Sequence, residues 1–322
     1  MNRKQGCCSG GSAAAGKNFN GGAKMARLVE FIPNFSEGRR QDVIDLLVKE
    51  AQSVGGVSLL DHSSDANHNR SVFTLAGTPE GIAEAALRLC RTAMEHIDLR
   101  QHKGEHPRMG ASDVFPFVPL KEVSIEECVE LSKRVAGRIW EELGIPSFLY
   151  EYSAVKPERR NLADLRRGEF EGMPEKLLKD EWAPDFGERK IHPGAGIMAI
   201  GARPPLIAFN VNLDTPDIKI AKAIAKTIRG SSGGYRYCKA LGVMLEDRNI
   251  AQVSMNMVNT EGTPIYRVFE AIRAEARRWG VSITGTELVG LSPAKALIDC
   301  AEYYLRIEDF DYKKQILENY LI

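Results

Sequence analysis

Two periods of hydrophobic spacing alternate along the chain and divide it into two similar runs. Leu28–Ile32 reads as a strand, and Pro33–Gly38 as a turn. A helix is predicted over 39–52, with Val43, Ile44, Leu46 and Leu47 apolar. Strands follow at 57–60 and 71–76. Thr78-Pro79-Glu80 then opens a helix, the threonine as N-cap and the proline at the first helical position. A strand at 114–118 is followed by Ser124 and Glu127, spaced as a capping box. The helix behind them carries Cys128, Leu131, Val135 and Ile139, and Ser147–Tyr152 reads as another strand.

The second run repeats the order. Leu206–Leu213 is a strand, and Thr215-Pro216 caps a helix reaching about Arg229. Strands at 239–245 and 251–258 flank the turn Glu246-Asp247-Arg248-Asn249. Thr263-Pro264 opens a helix with Ile265, Val268, Phe269, Ile272 and Trp279 near one face. A strand at 281–288 and a helix from Ser292-Pro293 end the run. Both runs read β-α-β-β-α-β, the ferredoxin-like order, which predicts an α+β chain of two such subdomains with a ligand cleft between them. The boundary falls at Gly201–Pro205, giving a first unit over 25–203 and a second over 204–322. Residues 154–194 fit neither run. They are charged and turn-rich, and a connection of that length is expected to be functional or disordered.

Composition narrows the function. The chain has 322 residues, and its 43 Lys and Arg balance 43 Asp and Glu. No global field attracts nucleic acid or a membrane surface, so any anionic ligand needs a local cluster of cations. No apolar run approaches the ~20 residues that span a bilayer. The cysteines form no CxxC pair, and Cys90, Cys128, Cys238 and Cys300 fall in packed elements, as expected of reduced thiols in a reducing, cytoplasmic compartment. Cys7-Cys8 lies in a Gly-, Ala- and Ser-rich stretch over 1–24 that reads as a disordered extension without the apolar core of a secretory signal.

Candidate chemistry concentrates in His102-Lys103-Gly104-Glu105-His106-Pro107-Arg108-Met109-Gly110. Gly104 and Pro107 disfavour a helix, so the charges sit on a loop, where an imidazole suits proton transfer near neutral pH. The competing reading is a solvated charged loop. A zinc site at His102 and His106 would need a helix and an HExxH spacing, and H-K-G-E-H supplies neither, so no metal is expected. Gly230–Gly234 lacks the spacing of a phosphate loop. Asp61–Arg70 is either a connection rich in Asx turns or a ligand-facing loop in which Arg70 holds a carboxylate bidentately. Gly187–Gly196 (G-E-R-K-I-H-P-G-A-G) is either a surface loop or a close backbone approach to a flat or anionic ligand.

The runs P-N-F-S-E-G (33–38), N-R-S-V-F-T (69–74), G-E-H-P-R-M-G-A-S-D-V (104–114) and E-W-A-P-D-F-G (181–187) together resemble the formimidoyltransferase-cyclodeaminase family, in its transferase part. A-F-N-V-N-L (208–213), A-Q-V-S-M-N (251–256) and E-L-V-G-L-S-P (287–293) extend the resemblance, which covers about residues 25–303 and reads as a stand-alone transferase. It implies paired α/β subdomains, a homodimer, and transfer of a formimidoyl group from N-formimidoyl-L-glutamate to N5 of tetrahydrofolate in histidine breakdown. It places the catalytic histidine on His106. The folate stretch falls on Gly187, Glu188, Arg189, Lys190, Ile191, His192, Pro193, Gly194, Ala195 and Gly196. Asn69, Arg70, Glu105 and Arg108 become substrate-site candidates, with Arg70 and Arg108 for the glutamate carboxylates. Some relatives carry an acid where Ser63 stands, leaving Asp61, Asp65 or Glu105 to orient His106. Formyl transfer from N-formylglutamate uses the same geometry. A folate-binding protein without turnover is the alternative of another class.

Overall fold

A computed structural model describes residues 27–320. The predicted extension over 1–24, with Cys7 and Cys8, lies outside the described residues. The fold is α+β with two sheets. The first is built from β1 (Leu28–Phe31), β2 (Asn34–Phe35), β3 (Val57–Asp65), β4 (Arg70–Gly77), β5 (Ser112–Lys121), β6 (Ser147–Glu151) and β7 (Met198–Ala202). Its strands run β3-β4, then β1 and β2 in line, then β5-β7-β6. Pairs are antiparallel up to β5, whereas β5-β7 and β7-β6 are parallel.

Alternation along these strands sets both faces of the sheet. Val29, Phe31, Phe73, Leu75, Phe115 and Phe117 point to one face and are fully buried. There they meet α1 (Gln41–Gln52), α2 (Pro79–His96) and α3 (Ile125–Leu143). Phe31 stacks on Phe117 and meets Phe115 edge-on, each with ring centroids 5.0 Å apart. Each such phenylalanine contributes about 1.5–3 kcal/mol by leaving water. The caps form where the sequence puts them: Thr78 accepts from Gly81 N–H at 3.2 Å, and Ser124 and Glu127 close both halves of their box.

Three readings of this sheet need correction, and the connection read as functional or disordered is folded. Asn34-Phe35 is a short strand bridging β4 and β5 rather than a free turn. β3 continues to Asp65 past a bulge near Leu60, because the polar stretch after Leu60 still finds ladder partners on β4. β7 was not anticipated; its buried Met-Ala-Ile-Gly-Ala sits in the region assigned to the boundary. The 154–194 connection is folded, with α4 (Leu162–Arg166) and α5 (Glu169–Lys176) packed through Leu165, Met173 and Leu177 against Phe148, Tyr150 and Ala199, on the sheet face away from α1–α3.

The second sheet runs β11-β8-β10-β9, all antiparallel, from β8 (Ile207–Leu213), β9 (Cys238–Leu245), β10 (Ile250–Met257) and β11 (Ile283–Val289). Ile207, Phe209, Val211 and Leu213 alternate inward, where α6 (Ile218–Ile228), α7 (Ile265–Arg278) and α8 (Ala294–Leu305) cover them. A short α9 (Tyr312–Gln315) follows. α6 is capped by Asp217, two residues beyond the expected threonine. Trp279 is 44% exposed at the end of α7, just past the helix, so it misses the buried face.

The connection is locked by one buried pair. Arg159 is 1% exposed, pairs with Asp185 at 2.6 Å and donates to the Glu181 and Ala183 carbonyls. Asp185 also accepts from Leu149 N–H on β6 at 2.8 Å. Removing one member strands a buried charge. Asp185→Ala is therefore expected to cost about 3–5 kcal/mol, read as a lower urea midpoint at unchanged slope.

Candidate functional site

His106 stands on the loop between α2 and β5, and three neighbouring segments fix that loop. The first is the β3-β4 turn, through Asn69. Asn69 takes a left-handed φ of 49°, a conformation asparagine tolerates better than most residues. Its Oδ1 accepts Gly38 N–H at 2.9 Å and its Nδ2 donates to the Lys103 carbonyl at 3.0 Å. Its own carbonyl lies 3.0 Å from His102 Nε2. Glu105 N–H donates to the Asn67 carbonyl at 3.2 Å. The packing is so close that a Cβ on Gly104 would stand 2.3 Å from the His68 carbonyl oxygen.

The second brace is Asp113 at the start of β5. It is buried, accepts from Met109 N–H at 2.9 Å and pairs with Arg166 of α4. The third is the segment 187–196. Gly194 and Ala195 accept from Leu99 and Ala111 N–H at 2.9 Å each, and Gly196 bridges Gly110.

His106 opens into a cleft of about 870 Å³ between the two sheets. The part of the first sheet's second face that α4 and α5 leave open supplies Glu30, Asn34, Arg70, Val72 and Thr74. The second sheet supplies Ala208, Asn256 and Val289 from its own uncovered face. These are the alternates of the core residues, so strand parity alone brings them together. Arg166 and Arg203 add two guanidinium groups that motif reading missed. Arg203 stands directly after β7, and Arg166 closes a five-residue helix inside a charged stretch.

The electrostatics around His106 are unusual. Arg70 Nη1 donates to His106 Nε2, so that nitrogen is an acceptor and the proton rides on Nδ1. Arg70 Nη2 donates to Asn34 Oδ1. Burial first, then the Arg70 and Arg166 cations, pull the His106 pKa down to about 3, so the imidazole is neutral. Burial likewise lowers Arg70 to about 10, with Arg166 adding to it. Burial pushes the Glu30 carboxyl up, against the pull of Arg203.

Of the remaining candidates, Asn69, Glu105 and Arg108 do not line that cleft, although Asn69 and Arg108 line a small recess beside it with Arg70, His102 and His106. Asn69 is 7% exposed and ties backbone together, which leaves it a positioning residue. Arg108 is buried against Glu169 at 2.9 Å and Glu171 at 2.6 Å and does not line the cleft, so its fork is already filled. Glu105 is exposed, and the contact on the imidazole is Arg70 rather than an acid. Asp65 pairs with His68 at 3.0 Å, while Asp61 and Ser63 line the cleft. None of Gly187, Glu188, Arg189, Lys190, Ile191, His192, Pro193, Gly194, Ala195 or Gly196 lines it. His192 and Gly196 exchange backbone hydrogen bonds at 2.9 Å, and Arg189 pairs with Asp180 on the surface. Among the described residues no group of three His, Cys, Asp or Glu side chains is arranged to hold a metal ion.

Because Asn69 joins three segments, its loss is felt at a distance. Asn69→Ala gives up two side-chain hydrogen bonds and keeps a left-handed residue. The expected cost is about 2–4 kcal/mol, measured by thermal melting, with activity lost in proportion to disorder of the 102–106 loop.

Comparison with known proteins adds the following. The family described as "Formiminotransferase domain, N-terminal subdomain" matches residues 28–203, and "Formiminotransferase domain" matches 208–319. Glutamate formimidoyltransferase of Streptococcus pyogenes serotype M1 is 67% identical over 298 residues, covering 92% of this chain and 100% of that protein. The enzyme of that name from Thermoplasma acidophilum is 46% identical, over 88% of this chain and 94% of its own. Formimidoyltransferase-cyclodeaminase of Gallus gallus is 45% identical over 88% of this chain, which spans 53% of that longer protein.

Proposed function

The chain belongs to the formiminotransferase family, and we propose that the cleft holding His106 is where it carries out that family's reaction. It transfers the formimidoyl group of N-formimidoyl-L-glutamate to tetrahydrofolate, releasing L-glutamate; the identity to two glutamate formimidoyltransferases along nearly their whole length carries this. Both substrates are small molecules, and tetrahydrofolate is the co-substrate.

In this reading His106 is the acid–base residue. The attacking N5 must shed a proton and the departing glutamate nitrogen must gain one. A neutral imidazole whose Nε2 carries no proton can accept the first and return it to the second. The supporting observation is the arrangement of His106, Arg70 and Arg166 on one cleft wall. The Arg70 guanidinium, which has no carboxylate on it among the described residues, suits a carboxylate of the donor, with Arg166 adding positive charge beside it. The apolar lining from Leu60, Val72, Val114, Pro116 and Leu162 suits the flat ring of the acceptor. Holding both substrates between the sheets replaces a bimolecular encounter with an oriented one. The resemblance assigns folate to Gly187–Gly196. We place that segment behind the His106 loop, as its brace, and the acceptor ring in the cleft. Homodimeric pairing and a cytoplasmic location are further proposals of the resemblance; no described helix is long and apolar enough to cross a membrane.

The test mixes the protein with tetrahydrofolate and either N-formimidoyl- or N-formyl-L-glutamate, following glutamate release and the substituted folate by mass spectrometry. Transfer from the formimidoyl donor is expected to fall about 10²–10⁴-fold in His106→Ala. Full activity in that variant would remove His106 from the chemistry. Preference for the formyl donor would keep the site and change the transferred group. Folate binding with no turnover of either donor would leave only a binding protein.

A further inference from the structure

The cleft described above contains a contradiction. A general base needs a free lone pair and a pKa near the working pH. In this structure Nε2 of His106, the nitrogen that faces Arg70, is occupied by the Arg70 guanidinium. The partners of that guanidinium are both neutral, His106 through Nη1 and Asn34 through Nη2. Its Nε is buried and has no hydrogen-bond partner, and the same holds for Nε of Arg166. Arg166 has its carboxylate, Asp113, whereas Arg70 is a half-buried cation on the cleft wall with no ion-pair partner of its own among the described residues. Such a cation is costly until an anion arrives.

We infer that Arg70 is a donor-operated latch on the catalytic imidazole. In the resting site its guanidinium occupies Nε2 of His106, and a carboxylate of the bound donor draws it away and leaves that nitrogen free to take the proton. The exchange breaks one hydrogen bond from Nη1 to a neutral acceptor. It forms a hydrogen bond from the same Nη1 to a carboxylate, in which donor and acceptor are both charged. Asn34 holds Nη2 and sits on β2, so it acts as the pivot. The same event cancels the positive field on the imidazole. The charged and titratable groups facing His106 are Arg70 from β4, Arg166 from α4, Asp113 from β5 and His68 from the β3-β4 turn; Glu30 and Asp61 line the same cleft. Of these only Asp113 favours the imidazolium to any marked extent, and the first two oppose it. A carboxylate on Arg70 therefore raises the basicity of His106 when substrate is present and leaves it low otherwise. The donor thereby switches on its own base.

This inference rests on the donor's placement in the cleft, and the experiment separates the two. The protein is labelled with ¹⁵N-histidine, and His106 is identified among the six histidines by comparison with His106→Gln. Its imidazole is titrated against pH alone and with saturating L-glutamate, the released product, which cannot react without folate. Calorimetry measures glutamate binding in parallel. The expected result is an imidazole that resists protonation in the free protein, with a midpoint about 1–3 pH units higher when glutamate is bound. Arg70→Met should raise the midpoint without ligand and make it insensitive to glutamate. Glutamate that binds without moving the His106 midpoint would overturn the latch and leave the donor site standing. Absence of glutamate binding would overturn the donor's placement and the latch with it. An ordinary midpoint near 6.5 in the free wild-type protein would overturn the latch regardless of Arg70→Met.

Discussion

Strand parity on one side of the first sheet governs almost everything else in this molecule. In β4, Phe73 and Leu75 enter the helix-covered core, and Arg70, Val72 and Thr74 consequently face the cleft. A slip of one residue against β1 and β3 would exchange the two sets, placing a guanidinium among phenylalanines and phenylalanines beside His106. The aromatic cluster of Phe31, Phe35, Phe73, Phe115 and Phe117 makes such a slip prohibitive. The core is thus what specifies the site, and the bridging strand Asn34-Phe35 shows the two uses within one dipeptide. Phe35 joins the cluster, and Asn34 holds Arg70.

A second theme is the use of polar side chains to bind loops rather than ligands. Asn69, Arg108, Asp113 and Asp185 are all within the most distinctive sequence motifs, and they, like Arg159, are committed to internal contacts. Their shared role is to hold irregular backbone rigidly where regular hydrogen bonding cannot. A site on loops becomes accurate when its loops are tied in this way. Two cations of the cleft, Arg70 and Arg203, come from the start of one strand and the residue just past the end of another, where backbone direction is already set by the sheet.

Much of the α+β pattern was legible in the chain because its signals are local. Thr78-Pro79, the Ser124–Glu127 box and the alternation through 206–213 each carry their own physics over a few residues, and each stands in the structure. What failed to show was non-local. β7 is five small or apolar residues with no turn chemistry to announce them, and only pairing with β5 and β6 makes them a strand. Arg166 looks like any other charge in a charged stretch until Asp113, fifty-three positions away, fixes it at the cleft. Arg108, which the motif marked for a ligand, is paired with two glutamates on α5 that are unremarkable in sequence. His106, which the motif singled out, lines the cleft, and its charged partner is a residue of the opposite sign to the acid expected there.

The passage from β7 to β8 consists of Arg203-Pro204-Pro205-Leu206, and three of these four residues line the cleft. Connections between units of a chain are ordinarily where length varies freely and insertions are absorbed. Here the connecting backbone is itself a wall of the reaction chamber, stiffened by two fixed proline φ angles. Any added residue would enter the chamber and displace Arg203, so the joint between the two sheets is held to its length by chemistry as well as by folding.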